Sequence, residues 1–279
     1  MALGSDGWLF YVDENAVKDY ARLDPWSAPA RAEWRDAVLG AQSWLGARDI
    51  AYLITIAPEK HAVYGDRMPA TLRVVGDSSR ADQLIAALAG TDAAVDLRPA
   101  LTAARSDARV YHKTDTHWND LGALSAYRAL IAAARTRVPA IPPAWTSSDF
   151  RSVPRTVPGL DLATMMGLRS VLAEEDPTLV PLRPRRARVV EPPGAGTADQ
   201  EPRLVTEVDD PTLPRAVVFR DSFSSALIPF LSEHFSRVVY LWQDEIDADV
   251  ILEEEPDIVI QEIAGRYLYS LPPSAARLP

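Results

Sequence analysis

Residues 111 to 122 read Tyr-His-Lys-Thr-Asp-Thr-His-Trp-Asn-Asp-Leu-Gly and hold two of the chain's four histidines, with Lys113 beside them. In an extended segment side chains alternate between faces, so Asp115 and His117 point the same way and the carboxylate can orient the imidazole. An imidazole with an ordinary pKa of about 6.5 can take the proton of a hydroxyl nucleophile. The candidate hydroxyl is Ser222, in Val-Val-Phe-Arg-Asp-Ser-Phe-Ser-Ser-Ala-Leu. It follows an apolar strand and precedes a helical stretch, a context that exposes a nucleophile beside helix N-terminal amides able to hold an oxyanion. Asp115, His117 and Ser222 then make up a complete triad. Their order along the chain is no objection, because triads are defined by geometry.

Each of these residues also has a plainer reading. Asp221 and Ser222 are preferred helix N-caps, and so are Asn119 and Asp120 before the next helical run. His112, Asp115 and His117 could instead ligate a metal, although no HExxH-type spacing is present. Lys60 and Lys113 read as solvated lysines that also lie close enough to the two loops to touch a substrate. Trp118 and Trp145 are equally candidates for stacking on a sugar ring and for core packing.

The elements that must position these residues alternate between strand and helix. A turn at Gly4 leads into a short aromatic strand to Tyr11, and Pro29 opens a helix to about Arg48. Ile50 to Ala57 is apolar on both faces, as suits the interior of a parallel sheet, and Pro58-Glu59-Lys60-His61 follows at its carboxyl end. Ser78 or Ser79 caps a helix ending near Gly90, and Ala93 to Leu97 is a further strand. After the Asp115/His117 segment, an Ala/Leu-rich helix runs from about Leu121 to Arg135. Residues 138 to 214 hold most of the prolines and read as a long insertion, partly a mobile flap. Alternation then resumes: a strand at 215–219, a helix at 224–235, a strand at 237–242, a helix at about 246–255 and a strand at 258–263. This pattern predicts an α/β fold, a mostly parallel sheet flanked by helices, in one domain spanning 1–279 with the insertion at about 138–214.

Composition narrows the partners. The 279 residues are 47% hydrophobic and 24% charged, as in globular domains. A net charge of -10 argues against nucleic acid, which needs a dense basic face. With no cysteine there is no disulfide and no thiolate chemistry. No apolar run approaches the roughly 20 residues of a membrane span, and the start lacks the apolar stretch of an export signal. Without a sustained heptad pattern, a monomer is expected.

The sequence resembles the SGNH-hydrolase-like polysaccharide O-acetyltransferases of the AlgJ and AlgX type. The matching features are the opening Gly-Ser-Asp-Gly-Trp-Leu-Phe, Pro58-Glu59-Lys60, Thr114-Asp115-Thr116-His117-Trp118, Leu160-Asp161-Leu162, Asp221-Ser222-Phe223 and Pro256-Asp257-Ile258-Val259-Ile260. The resemblance implies a flavodoxin-like sheet in permuted order, with Ser222 as nucleophile, His117 as base and acid, and Asp115 orienting it. It further implies transfer of acetyl to polysaccharide hydroxyls outside the cytoplasm through an acetyl-serine intermediate, with no metal or organic cofactor. An acetyl donor, with a membrane acetyl-relay protein among the candidates, would be the partner. Arg266 and Tyr267 stand where the family keeps an Arg-Tyr pair, which suggests a substrate contact. Arg220 stands where many members have Gly and either narrows the oxyanion hole or adds a charge. The alternatives are a carbohydrate acetylesterase of the same fold and a non-catalytic polysaccharide-binding component of a secretion complex.

Overall fold

The centre of the molecule is a seven-stranded sheet formed by β1 (Ala51–Ala57), β2 (Ala94–Asp96), β3 (Arg188–Glu191), β4 (Arg203–Glu207), β5 (Arg215–Arg220), β6 (Arg237–Trp242) and β7 (Ile258–Ala264). The computed structural model describes residues 1–191, 203–276 and 278. Strand order is β2-β1-β7-β5-β6-β4-β3. The strands from β2 to β6 run parallel, and β4 and β3 are added antiparallel at one edge.

The inner strands are apolar on both faces because both faces are covered. Leu53, Val218, Val238, Ile258 and Ile260 point into one core layer with Tyr127, Leu130 and Ile131 of α3 (Asp120–Arg135). Their sequence neighbours Ile54, Val217, Val239 and Val259 point into the other, with Trp34, Val38 and Leu45 of α1 (Ala28–Gly46) and Leu84 of α2 (Arg80–Ala87). Strand side chains alternate with period two, so each strand feeds both layers. Burying each such Leu, Ile or Val contributes about 1.5–3 kcal/mol before conformational entropy is subtracted.

The helix ends follow their caps. The Ser27 side chain accepts from Ala30 N at the start of α1, where Pro29 occupies the first turn. Ser79 and Asp82 form a capping box at α2, and the Asn119 side chain accepts from Leu121 N and Gly122 N at α3. Gly122 is pressed against the Val110 carbonyl so closely that an added Cβ would lie 2.0 Å from its oxygen. Glycine there lets α3 start directly against the loop that carries His117. Among the described residues no helix is long and apolar enough to cross a membrane.

Three local expectations are revised. Residues 138 to 214 do not form one insertion apart from the sheet, because 188–191 and 203–207 within it are sheet strands. Edge strands of four or five residues carry too short a pattern to stand out from a loop. Between 150 and 181 the stretch folds as two small antiparallel pairs, 150–153 with 178–181 and 156–158 with 173–175, around the short helix Asp161–Met165. The helix expected over 224–235 is broken into a 3-10 turn at Phe223–Ala226, an α-turn at Ile228–Leu231 and a second 3-10 turn at Ser232–His234. Pro229 has no N–H to continue an earlier helix and restarts the chain in a first turn. Finally, residues 112 to 117 are a loop of bends closed by an antiparallel bridge between Tyr111 and Trp118, and not an extended strand.

Candidate active site

The histidine loop and the end of β5 meet at the carboxyl end of the parallel strands. His117 Nε2 lies 2.8 Å from Ser222 Oγ, and His117 Nδ1 lies 2.7 Å from Asp115 Oδ1. Asp115 reaches His117 locally rather than by strand alternation: the same Oδ1 also accepts the His117 backbone N–H at 2.9 Å. A carboxylate bonding its own backbone two residues on is a common loop device, and here it also fixes the ring. His117 packs edge-on against Phe223, with ring centroids 4.8 Å apart.

Burial would lower the pKa of His117, but the hydrogen bond and charge of Asp115 outweigh it and hold the imidazole above its ordinary value. Burial likewise opposes ionisation of Asp115, and its bonds to His117 win, bringing it down to about 2. The arrangement can therefore accept a proton from Ser222 on Nε2 while Nδ1–H stays on the carboxylate.

Much of the loop is held by residues distant in sequence. The buried Lys60 ammonium donates to the carbonyls of His112, Lys113 and Asp115 at 3.0, 3.2 and 2.6 Å, over the faces of Trp8 and Phe10. Burial pushes its pKa down to about 7, with Asp115, Glu174 and Asp161 opposing that shift. Lys60 is thus neither solvated nor turned towards a substrate. Lys60→Met is expected to strand three loop carbonyls. At about 1–3 kcal/mol for each buried group left unpaired, the thermal midpoint should fall together with turnover. A Lys60→Met variant of parental stability and rate, followed by thermal melts and ester hydrolysis, would refute this role.

The insertion supplies the remaining braces. Asp161 accepts Thr116 N and Thr116 Oγ1, both at 2.8 Å, and its own N–H points at Asp115 Oδ2 at 3.4 Å. Glu174, buried and paired with Arg109, accepts Lys113 N, Thr114 N and Thr114 Oγ1. Leu162 N and Ala163 N donate to the Thr114 carbonyl. These contacts make the 160–174 region a clamp on the histidine loop, where a mobile flap had been expected. On the other side, Leu9 N donates to Lys113 O and Lys113 Nζ to Asp6 O, so the opening aromatic segment docks on the same loop. Leu160-Asp161-Leu162 was noted in the sequence without a role; Glu174 carried no signal beyond being one acid among many.

Ser222 itself has φ −66° and ψ −27°, ordinary right-handed backbone, at the start of the four-residue 3-10 turn. The helix dipole expected behind it is therefore slight. Phe223 N donates to Asp221 Oδ1 at 2.8 Å and Asp221 N to Glu262 Oε2 at 3.1 Å, so both amides flanking Ser222 are committed. Arg220 is buried within the turn: its Nη1 donates to Asp221 O and Ser225 Oγ, and its guanidinium lies 4.2 Å from the centre of the Trp242 ring.

Of the other residues singled out, Trp118 is core. It is 1% exposed, packed edge-on against Phe223 and Tyr111, and not a stacking platform. Trp145 is also buried, tilted against Phe150 and covered by Arg183. Arg266 is buried and ion-paired with Glu59 at 2.8 Å, and its Nη2 donates to Tyr267 Oη at 3.3 Å. Its guanidinium lies 6.0 Å from the Phe223 ring centre, beside the turn that carries Ser222. His112 faces Asp176 at 3.2 Å and is not part of any ligand set with Asp115 and His117. Asp161 takes its place: single ligand atoms of Asp115, His117 and Asp161 lie within 4.8 Å of one another. A cation there fits the donor set poorly, because Nδ1 and Nε2 of His117 are already engaged by Asp115 and Ser222.

Comparison with known proteins agrees with this architecture. The model of the SGNH hydrolase-like domain, acetyltransferase AlgX, matches residues 1–250. The chain is 31% identical over 141 residues to the probable alginate O-acetylase AlgJ of Pseudomonas aeruginosa, covering 48% of this chain and 33% of that one. It thus spans about a third of the length of that relative. Among solved structures, Bacillus cereus PatB1 with a sulfonyl adduct superposes with a TM-score of 0.70 at 16% identity, covering 100% of both chains. The O-acetyltransferase domain of Pseudomonas putida AlgJ superposes with a TM-score of 0.56 at 21% identity, covering 97% of this chain and 92% of that one. These two likenesses show a shared fold, and with the match over residues 1–250 they place the chain in the family of SGNH hydrolase-like acetyltransferase domains of the AlgJ and AlgX type.

Proposed function

We propose that this chain is a serine O-acetyltransferase that moves acetyl groups onto the hydroxyls of an extracytoplasmic polysaccharide, of which alginate, named for the AlgJ relative, is the first to test. The observation that carries the reading is the unbroken run of short contacts from Asp115 through His117 to Ser222. Ser222 Oγ attacks the acetyl carbonyl carbon of the donor while its proton passes to His117 Nε2. The tetrahedral intermediate then collapses, the donor C–O bond breaks, and His117 returns the proton to the leaving oxygen. In the second half an acceptor hydroxyl gives its proton to His117 and attacks the acetyl-serine. Ser222 leaves and recovers the proton.

The test is intact-mass analysis after brief exposure to an activated acetyl ester. One acetyl mass on Ser222, absent from Ser222→Ala and His117→Ala, is expected. No adduct together with no ester turnover would favour a binding component without catalysis. Exhaustive chelation is expected to leave turnover unchanged; a loss restored by a divalent ion would assign Asp115, His117 and Asp161 to a metal site instead.

An acetylesterase would use the same residues with water as acceptor. The His117 side chain is 27% exposed, which leaves room for water and favours keeping this second reading. Turnover that rises with added oligosaccharide, with little hydrolysis in its absence, supports the transferase; equal hydrolysis with and without acceptor supports the esterase.

A further inference from the structure

One buried acid lies directly beneath the nucleophile turn and takes no part in the proton relay. Glu262 is 1% exposed in the middle of β7, in the run Ile-Val-Ile-Gln-Glu-Ile-Ala. It shares its face of the strand with Ile258, Ile260 and Ala264, which line the core layer that also holds Phe223 and Trp118. Its Oε2 accepts the Asp221 N–H at 3.1 Å and the Ser224 hydroxyl at 2.8 Å, one contact on each side of Ser222. Asp221 closes the clasp from the opposite direction. Its Oδ2 accepts Ala264 N at 2.7 Å, two residues beyond Glu262 on the same strand, and its Oδ1 accepts Phe223 N at 2.8 Å. Residues 221, 223 and 224 are thus all tied down around Ser222, two of them to one side chain.

We propose that Glu262 is a positioning residue for Ser222: its side chain clasps the turn on both sides of the nucleophile and sets where Oγ stands relative to His117. The proposal rests on Ser222 being the nucleophile. An acid so placed need not be charged. Complete burial, and then the neighbouring Asp221, hold the Glu262 carboxyl well above the usual carboxylate range, so it stays protonated where a surface glutamate would ionise. A neutral carboxyl can accept from both donors without bringing a second negative charge under the developing oxyanion.

The test compares Glu262→Gln, Glu262→Ala and the parent by ester kinetics, infrared spectroscopy and amide hydrogen exchange. Alanine is expected to lower kcat about ten- to a hundredfold with KM nearly constant, because a small misplacement of a reacting atom costs rate and not binding. Glutamine keeps the shape, the neutrality and the acceptor oxygen and is expected to recover most of that loss. A carboxylic-acid carbonyl band should persist in the parent at a pH where a surface glutamate is ionised and vanish in Glu262→Gln. The Asp221 amide should exchange slowly in the parent and faster in Glu262→Ala. Alanine turnover equal to the parent's, or glutamine as slow as alanine, overturns the proposal. If the alanine variant does not fold, the glutamine variant and the infrared band decide between a neutral clasp and an ionised acid. If the parent gives no turnover sensitive to Ser222→Ala, the catalytic reading has failed. The band and the Asp221 exchange rate then judge the clasp by themselves.

Discussion

Ser222→Ala and His117→Ala are each expected to lower ester turnover by about 10⁴- to 10⁶-fold, with the double variant no worse than either single one. The two side chains act as a unit. Without Oγ there is nothing to acylate, and without Nε2 at 2.8 Å the hydroxyl has no base to take its proton at neutral pH. Neither change should disturb the fold much. Ser222 is half-buried at a turn whose main chain is held by Asp221 and Glu262, and both variants remove side-chain atoms only. The checking measurement is initial-rate kinetics paired with thermal melts. A fall of tenfold or less, with an unchanged melt, would mean that another hydroxyl carries the chemistry; Ser224 is a poor one, since it is buried and bonded to Glu262.

Asp115→Asn should cost about 10⁴-fold in kcat and also move the pH profile, and the direction of that movement is diagnostic. His117 must be neutral to act as base, so kcat/KM rises with pH as the imidazole loses its proton. In the parent Asp115 holds the midpoint above the ordinary value of about 6.5. The asparagine variant keeps the burial that disfavours the imidazolium and loses the carboxylate that favours it, so its midpoint should drop. A midpoint that stays put would show that Asp115 does not govern His117. Stability follows the same linkage with signs worked out separately. The lowered pKa of Asp115 contributes stability above its unfolded value of about 3.9, and that contribution is lost as pH falls towards about 2. The raised pKa of His117 contributes below about 6.5 and is lost as pH rises through the folded value. The pair therefore stabilises most between about pH 4 and 6.5, and thermal midpoints of Asp115→Asn against the parent should differ most in that window.

By itself the sequence determined which residues were candidates for the relay and the layering of the fold. Asp115, His117 and Ser222 stood out because few polar residues of the right type occur near strand ends, and β1, β5, β6 and β7 announced themselves by apolar runs that only a sheet covered on both faces can bury. Two parts of that reading named residues that do meet, but by a different route from the one expected. Asp115 meets His117 across a tight bend and not along a strand, and Ser222 is presented by a 3-10 turn and not by a long helix. Local periodicity could not say so, since bends and broken helices carry no period, and Pro229 was the one mark of the break. The tertiary structure alone decided what holds the relay still. Lys60 is 53 residues from Lys113, Asp161 is 45 from Thr116, and Glu262 is 41 from Asp221. A lysine, an aspartate and a glutamate look in sequence like ordinary solvated charges. Only the packing shows Lys60 and Glu262 buried and Asp161 half-buried, each satisfying backbone groups of a loop that has no regular ladder to satisfy its own. The same packing set Trp118 and Trp145 among core rings and Arg220 under the turn, because an aromatic ring or a guanidinium reveals its direction only once its neighbours are in place.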